Sequence, residues 1–198
     1  MSRSDSIGRF VERPHVEAHL NQLDEPIEIE EYNPAREKVF RSAANEIRRR
    51  LGVLVLGIEH IGSTAVPGLR GKPVVDIMLG VGPGDLRLER LRPALDGYES
   101  LGEAGVPGRL YFRRRKSEAI NVQAVEFGGM LWIDSVLLRD YLRAHPDEVQ
   151  RYGRTKSNII EGGTRTLLAY SRAKHEMIQD LLTHARAWRH EHNLSNHT

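Results

Sequence analysis

The run His60-Ile61-Gly62-Ser63-Thr64-Ala65-Val66-Pro67-Gly68-Leu69-Arg70-Gly71-Lys72-Pro73-Val74-Val75-Asp76-Ile77-Met78-Leu79-Gly80-Val81 organises the rest of the chain. An apolar run, Val53 to Ile58, leads into it, and a second, Val74 to Val81, closes it. Two short β-branched runs of this kind read as buried strands, and the Gly/Ser/Pro segment between them reads as a surface connection. Glycines let the backbone approach a ligand closely, and Ser63 and Thr64 add hydroxyl and backbone N–H donors. Arg70 and Lys72 place cations on the same connection. Asp76 interrupts an otherwise apolar strand, which is costly unless the carboxylate is paired or holds a metal. A phosphate-cradling loop followed by a metal-binding carboxylate is the combination these residues suggest.

The 198 residues suit one α/β domain with a helical extension, large enough to bury about 70% of its unfolded surface. Hydrophobic residues at 39% and charged residues at 28% fit a soluble globular protein. The formal net charge is only +2, too little for bulk nucleic-acid binding, so steering must come from local clusters. The absence of cysteine excludes disulfides, thiolate metal sites and a Cys nucleophile, and suits the cytoplasm. No apolar run approaches the ~20 residues that cross a bilayer, and no secretory signal is expected at the N-terminus.

Residues 1–26 are polar and aperiodic and are expected to form a flexible arm. Ile27 and Ile29 alternate with Glu28 and Glu30, which predicts a short edge strand. Asn33 and Pro34 start a helix as N-cap and first residue, with Ala35, Val39, Ala43 and Ile47 as its buried stripe. Arg48, Arg49 and Arg50 suit the negative end of that helix, and Gly52 stops it. A short helix with Leu86, Leu91 and Leu95 facing inward follows Gly82-Pro83-Gly84. Tyr98 to Glu103 reads as a strand. Leu110–Lys116 and Ala119–Glu126 read as antiparallel strands joined at Ser117-Glu118, with Asn121 and Gln123 sharing one face of the second. From Leu131 the pattern is helical, broken at Pro146 and at Gly162-Gly163, with Trp132 and Trp188 as core anchors. Histidines 184, 190, 192 and 197 are read as solvated. The order predicts a mixed sheet flanked by helices over residues 27–128, a helical part over 129–188 and a polar tail over 189–198.

Gly62-Ser63, twelve further residues and then Asp76 resembles the Gly-Ser…Asp-x-[Asp/Glu] signature of the nucleotidyltransferase superfamily. The block from Ile58 through Ile77 is more narrowly similar to the GrpB family, and three segments agree with it: Glu30-Glu-Tyr-Asn-Pro34, Leu138 to Pro146, and Tyr170 with Lys174. The resemblance covers residues 27–188 and implies an α/β (α+β) nucleotidyltransferase, or polymerase-beta-like, fold. It further implies a nucleoside triphosphate (ATP first) and Mg²⁺, with Ser63 on phosphate and Asp76 on the metal. Position 78, where the superfamily carries its second acid, holds Met78. GrpB-type sequences are generally apolar there, so the departure is from the superfamily alone. They often carry His where this chain has Asn121 and Gln123, and amides are poor bases and metal ligands.

The expected catalytic residues are Asp76 and His60, the latter equally readable as a capped strand-end histidine. The expected binding residues are Gly62, Ser63, Thr64, Arg70, Lys72, Arg113, Asn121, Gln123, Arg139, Lys156 and Lys174. Arg113 and Arg115 share a strand face, while Asp140 can pair with Arg143 on a helix. Three functions follow. The first is Mg²⁺-dependent transfer of a nucleotidyl group to a small-molecule acceptor, or adenylation of a carboxylate. The second is a non-catalytic nucleotide- or CoA-type ligand-binding module, in keeping with GrpB-like domains fused to dephospho-coenzyme A kinase. RNA binding through Arg113 to Lys116 is disfavoured by the small net charge and the lack of clustered aromatics. Oligomeric state stays open.

Overall fold

The computed structural model describes residues 24–195, in which the two apolar runs lie side by side. Strands β1 (Gly57–Ile61), β2 (Val75–Val81), β3 (Glu99–Ser100), β4 (Arg109–Arg114) and β5 (Ile120–Glu126) form one sheet in the order β1-β2-β5-β4-β3. β2 and β5 run parallel and every other neighbouring pair antiparallel, so the sheet is mixed. Alternation divides its faces. Val75, Ile77, Leu79 and Val81 of β2 join Ile120, Val122 and Ala124 of β5 on the apolar face. Helix α1 (Ala35–Leu51) covers that face with Ala43, Ala44, Ile47 and Leu51. Asn33 caps α1, its Oδ1 accepting from the Ala35 N–H at 2.9 Å, and Gly52 ends it with φ +56°. The short helix α2 (Leu88–Leu91) and the 3-10 turn after it close the same core with Leu91 and Leu95.

The opposite face carries Asp76, Asn121 and Gln123, and helices α3 (Met130–Ala144), α4 (Pro146–Glu161), α5 (Leu167–Ala173) and α6 (His175–Ser195) fold over it. Those helices have a core of their own, built from Leu137, Tyr141, Leu142, Val149, Tyr152 and Leu181, with Trp188 packed against it. The loop between β1 and β2 inserts Val66 and Leu69 into this second core, which fixes its path. Beyond Met78 the polar face turns apolar, where Ile61, Met78 and Val125 meet Leu131 and Trp132. No helix among the described residues is long and apolar enough to cross a membrane.

Several boundaries differ from the sequence expectation. The first strand begins at Gly57, because Gly52–Leu54 forms a 3-10 turn that leaves Val53 93% exposed. Ile27 and Ile29 form no strand. Single bridges, Pro26 to Thr166 and Glu30 to Gly71, hold this segment, while Ile27 packs against Leu167 and Tyr170. The alternation there records burial without a ladder. Of the strand expected from Tyr98 to Glu103, only Glu99 and Ser100 pair, and β4 ends at Arg114. Residues 24–26 of the expected arm are tied down: the Leu167 N–H donates to Glu25 O, and the Leu168 N–H to Asp24 Oδ1. Residues 1–23 of that arm, and His197, lie outside the described residues.

The end of the sheet depends on two glycines. A Cβ at Gly57 would lie 2.5 Å from Trp132, and one at Gly80 would lie 2.8 Å from both Phe127 and Trp132. Gly80→Ala is therefore expected to destabilise by about 1–3 kcal/mol in urea unfolding and to alter Trp132 fluorescence. Gly84→Ala, whose Cβ meets nothing within 4 Å, should be near neutral.

Candidate functional site

A cleft of about 470 Å³ opens between the polar face of the sheet and the C-terminal helices. Asp76 lies on its floor, on β2 between β1 and β5. Its carboxylate is met by an amide: Asn121, its register partner on β5, donates from Nδ2 to Asp76 Oδ1 at 2.6 Å. Asn121 Oδ1 accepts from Arg115 Nη2 at 3.1 Å, and Arg115 grips both oxygens of Glu25 at 2.8 and 2.9 Å. That chain of contacts fixes the amide's orientation, since Arg115 can only donate. Burial alone would raise the Glu25 carboxyl, but Arg115, with Lys72 and Arg113, brings it below its ordinary value.

The Gly62-Ser63 turn forms the adjoining wall. Gly62 has φ +73°, and a Cβ there would lie 2.6 Å from Asp76 Oδ2. Only glycine lets the loop pass so close to the carboxylate. Gly71 is held as tightly, for its Cβ would lie 2.5 Å from Ser63 Cβ. Behind Ser63 sits Lys156 of α4, with no exposed surface. Its Nζ is 2.7 Å from Ser63 Oγ, donates to Arg70 O at 2.7 Å and lies 4.2 Å from the centre of the Tyr152 ring. Burial pushes Lys156 well below the ordinary lysine range, Lys174 adds repulsion, and Asp76 opposes the shift.

Cations surround the floor. Lys72 comes from the loop, Lys174 from the end of α5 and Arg109 from β4. Lys174 lies over the Tyr170 ring, 4.8 Å from its centre, with its ammonium inside the concave cleft although the residue keeps some solvent contact. Burial draws it down to about 8, with Lys72 acting in the same direction and Asp76 against. Arg109 donates to Gln123 Oε1 at 2.8 Å and to Ala104 O at 3.0 Å, and stacks over Tyr111. Among the described residues none of Lys72, Arg109, Lys156 and Lys174 has a carboxylate within 4.0 Å, whereas Arg36, Arg113, Arg115, Arg139 and Arg151 each do. The phenols of Tyr111, Tyr152 and Tyr170 are raised by burial and stay neutral, Tyr170 at about 12. Val66, Leu69, Leu142 and Ile178 make the apolar wall. The result is a cation-rich cleft with one carboxylate at its base.

The structure gathers Gly62, Ser63, Lys72, Asp76, Asn121, Gln123, Arg139 and Lys174 on the cleft, with Lys156 directly behind. It places His60 elsewhere. His60 is buried on the opposite face of the sheet, between Glu37 (Nδ1 to Oε2, 3.0 Å) and Thr64 (Nε2 to Oγ1, 2.9 Å), and stacks on Phe40. Burial keeps its imidazole below the ordinary histidine value despite Glu37, so it ties strand to helix. Thr64 turns with it and lines a separate small pocket. Arg70 reaches Ser157 and Glu31, away from the cleft. Arg113 shares the site's face, as expected, but is directed to Glu99. Arg139 reaches the rim with its guanidinium occupied by Glu59, Asp140 and the His60 carbonyl, which leaves it pinning α3 to β1. Asp140 does approach Arg143, at 4.0 Å.

Arg109, Tyr111 and Tyr152 were not expected at the site. Tyr111 shares its strand face with Arg113 by alternation and stands opposite Gln123, and Arg109 lies one residue before the strand expected from Leu110. Ser117 takes φ +62°, which nothing in the sequence announces.

The donor set does not suit a pair of metals. Met78 is buried against Ile61, Val125 and Trp132, and Glu59, opposite it in register, is held by Arg139. No group of three His, Cys, Asp or Glu side chains gathers among the described residues. A single Mg²⁺ is compatible, since that ion binds through one or two carboxylates together with a ligand's phosphates and water. Asp76 would be its protein ligand.

Comparison with known proteins follows the same geometry. The GrpB protein family model matches residues 26–184. A UPF0157 protein of Pseudomonas aeruginosa is 34% identical over 176 residues, which are 84% of this chain and 71% of the relative. The UPF0157 protein YqkA of Bacillus subtilis is 28% identical over 173 residues, covering 86% of this chain and half of that protein. The crystal structure of the conserved protein GrpB from Enterococcus faecalis superposes with a TM-score of 0.72 at 29% identity, covering 81% of this chain and 99% of that one. With a family model spanning most of its length and a solved relative of the same shape, the chain belongs to the GrpB family.

Proposed function

We propose that the cleft binds a nucleoside triphosphate and that the protein transfers its nucleotidyl group to a small-molecule acceptor, or adenylates a carboxylate, on a nucleotidyltransferase-type scaffold in the cytoplasm. The observation that carries this reading is the set of three cations, Lys72, Arg109 and Lys174, that line the cleft beside the Gly62-Ser63 turn without carboxylate partners among the described residues. Partly buried positive charge left without an acidic partner raises the free energy of the protein, and an anionic ligand relieves it. Lys72 and Lys174 reach the phosphates from two sides, and the turn brings backbone N–H groups to them. The apolar wall receives the base, and Gln123, held by Arg109, offers its amide to the acceptor or the base. One Mg²⁺, held by Asp76, would neutralise phosphate charge and polarise the reacting centre. A second reading, binding without transfer, is favoured by Met78 and by the engagement of Glu59 with Arg139. Pyrophosphate release with any acceptor eliminates it.

A thermal-shift screen of ATP, GTP, CTP and UTP with and without Mg²⁺ tests the site. A nucleotide at 100 times its dissociation constant is expected to stabilise by about 2.7 kcal/mol, raising the midpoint by about 5–10 °C. Asp76→Asn should lose the Mg²⁺-dependent increment and strengthen the Mg²⁺-free shift, because the carboxylate that repels phosphate is gone. Absence of a shift with every nucleotide would sink the assignment.

Lys174 gives the site a pH signature. Below about 8 its amine is protonated and attracts phosphate; as pH rises through 8 the charge is lost and affinity falls. Calorimetric titration across pH 6.5–9.5 should show up to a tenfold loss of affinity per pH unit above 8. Lys174→Arg, which stays charged, should flatten that decline. A decline unchanged in the variant would assign it to another group.

A further inference from the structure

The contact between Ser63 and Lys156 does more than brace the loop. Lys156 is the one lysine among the described residues with no exposed surface, and its Nζ meets one hydroxyl, one carbonyl and one aromatic face. Among the described residues no carboxylate lies within 4.0 Å to hold it as an ammonium. A neutral amine satisfies the same geometry with roles divided: it donates to Arg70 O and accepts from the Ser63 O–H. Ser63, by contrast, opens onto the cleft, at the start of a 3-10 turn beside Asp76. A hydroxyl facing a ligand and backed by a buried amine at 2.7 Å is the arrangement of a base-activated nucleophile.

We propose that Ser63 and Lys156 are a nucleophile and its general base, and that Ser63 carries the transferred phosphoryl-type group covalently before the acceptor receives it. The identity of the ligand rests on the function proposed above; the pair itself does not. In the first step the Ser63 proton passes to Lys156 Nζ while Oγ bonds to the α-phosphorus. The P–O bond to pyrophosphate breaks, and pyrophosphate leaves with the electron pair. In the second, an acceptor hydroxyl bonds to that phosphorus and gives its proton to solvent. The Oγ–P bond breaks, and Lys156 returns its proton to Ser63. Lys72 and Lys174 lie on the same cleft, where negative charge accumulates on the phosphoryl oxygens.

An alkyl fluorophosphonate tests the pair without any nucleotide: Oγ–P forms, P–F breaks, fluoride leaves and the proton goes to Lys156. Intact-mass spectrometry is expected to show one adduct, mapped by peptide sequencing to Ser63 and absent in Ser63→Ala. Lys156→Met and Lys156→Arg, confirmed as folded by circular dichroism, should slow labelling by at least about 100-fold. Should neither fold, the wild-type pH profile decides. A labelling rate that levels off near neutral pH supports the pair, and one rising in proportion to hydroxide through pH 9 overturns it. No Ser63 adduct on folded protein, or an adduct indifferent to Lys156, also overturns it. A nucleotide thermal shift without a Ser63 adduct refutes the covalent step and leaves the binding reading intact. A Lys156-dependent adduct without any nucleotide shift supports the pair and removes the nucleotide as its ligand.

Discussion

A carboxylate on an interior strand has to be met by donors, and much of the site follows from the way Asp76 is met. Its partner is a neutral amide, Asn121, which Arg115 orients and Glu25 anchors in turn. The chain of contacts runs from the segment before the first helix to the floor of the cleft. It gives the Asp76 side chain a hydrogen-bond donor without consuming a cation. Had a lysine paired with Asp76 directly, the two charges would have cancelled and the cleft would attract little. The passage of the loop beside Asp76 is the second consequence, because only glycine at position 62 leaves room for the carboxylate oxygen.

The two faces of the sheet do different work from one alternating pattern. Val75, Ile77, Leu79 and Val81 build a core with α1 that is apolar throughout, while Asp76 and Met78 look the other way. The C-terminal helices cover that second face through their own apolar cluster, and reach the sheet where Trp132 lies on Gly57 and Gly80 and where Arg139 holds Glu59. Elsewhere the gap stays open as the cleft. Lys156 and Lys174 come from those helices and Lys72 from the loop, so the site exists only when the helical part is docked. The two apolar cores offset the free energy of holding Lys72 and Lys174 without acidic partners and of burying the Lys156 amine.

The strands around the central run, the helix after Asn33-Pro34 and the breaks at Pro146 and Gly162-Gly163 were legible because local chemistry decides them: β-branching, capping and proline. Gly62, Ser63 and Asp76 were legible from spacing. The mispredicted features depend on tertiary packing. His60 lies one position from Ile61, so a single pleat sends it to Glu37 and Phe40 on the far face. Arg109 and Tyr111 share the strand face of Arg113, but Arg109 falls before the strand expected from Leu110 and the β4–β5 register could not be read locally. Glu25 pairs with Arg115 across 90 residues, beyond the reach of any local pattern. Arg139 was recognisable as a residue of the site's rim, but its pairing with Glu59 and Asp140 makes it a structural tie.

The charge balance also bears on chemistry. A two-metal site gathers carboxylates and takes its positive charge from the ions; this cleft has one carboxylate and draws positive charge from lysine and arginine. An ammonium neutralises phosphate oxygens and orients them through three donors, yet it lacks the Lewis acidity with which a metal lowers the pKa of an attacking hydroxyl. On the function proposed above, a site with lysines and a single metal needs a proton acceptor from the protein. His60 is on the wrong face, Asn121 and Gln123 are amides, and Asp76 is engaged by Asn121. The group left in contact with a hydroxyl on the cleft is the buried amine of Lys156, and in the proposed mechanism the apolar Met78 and the burial of that lysine without a counter-charge belong together.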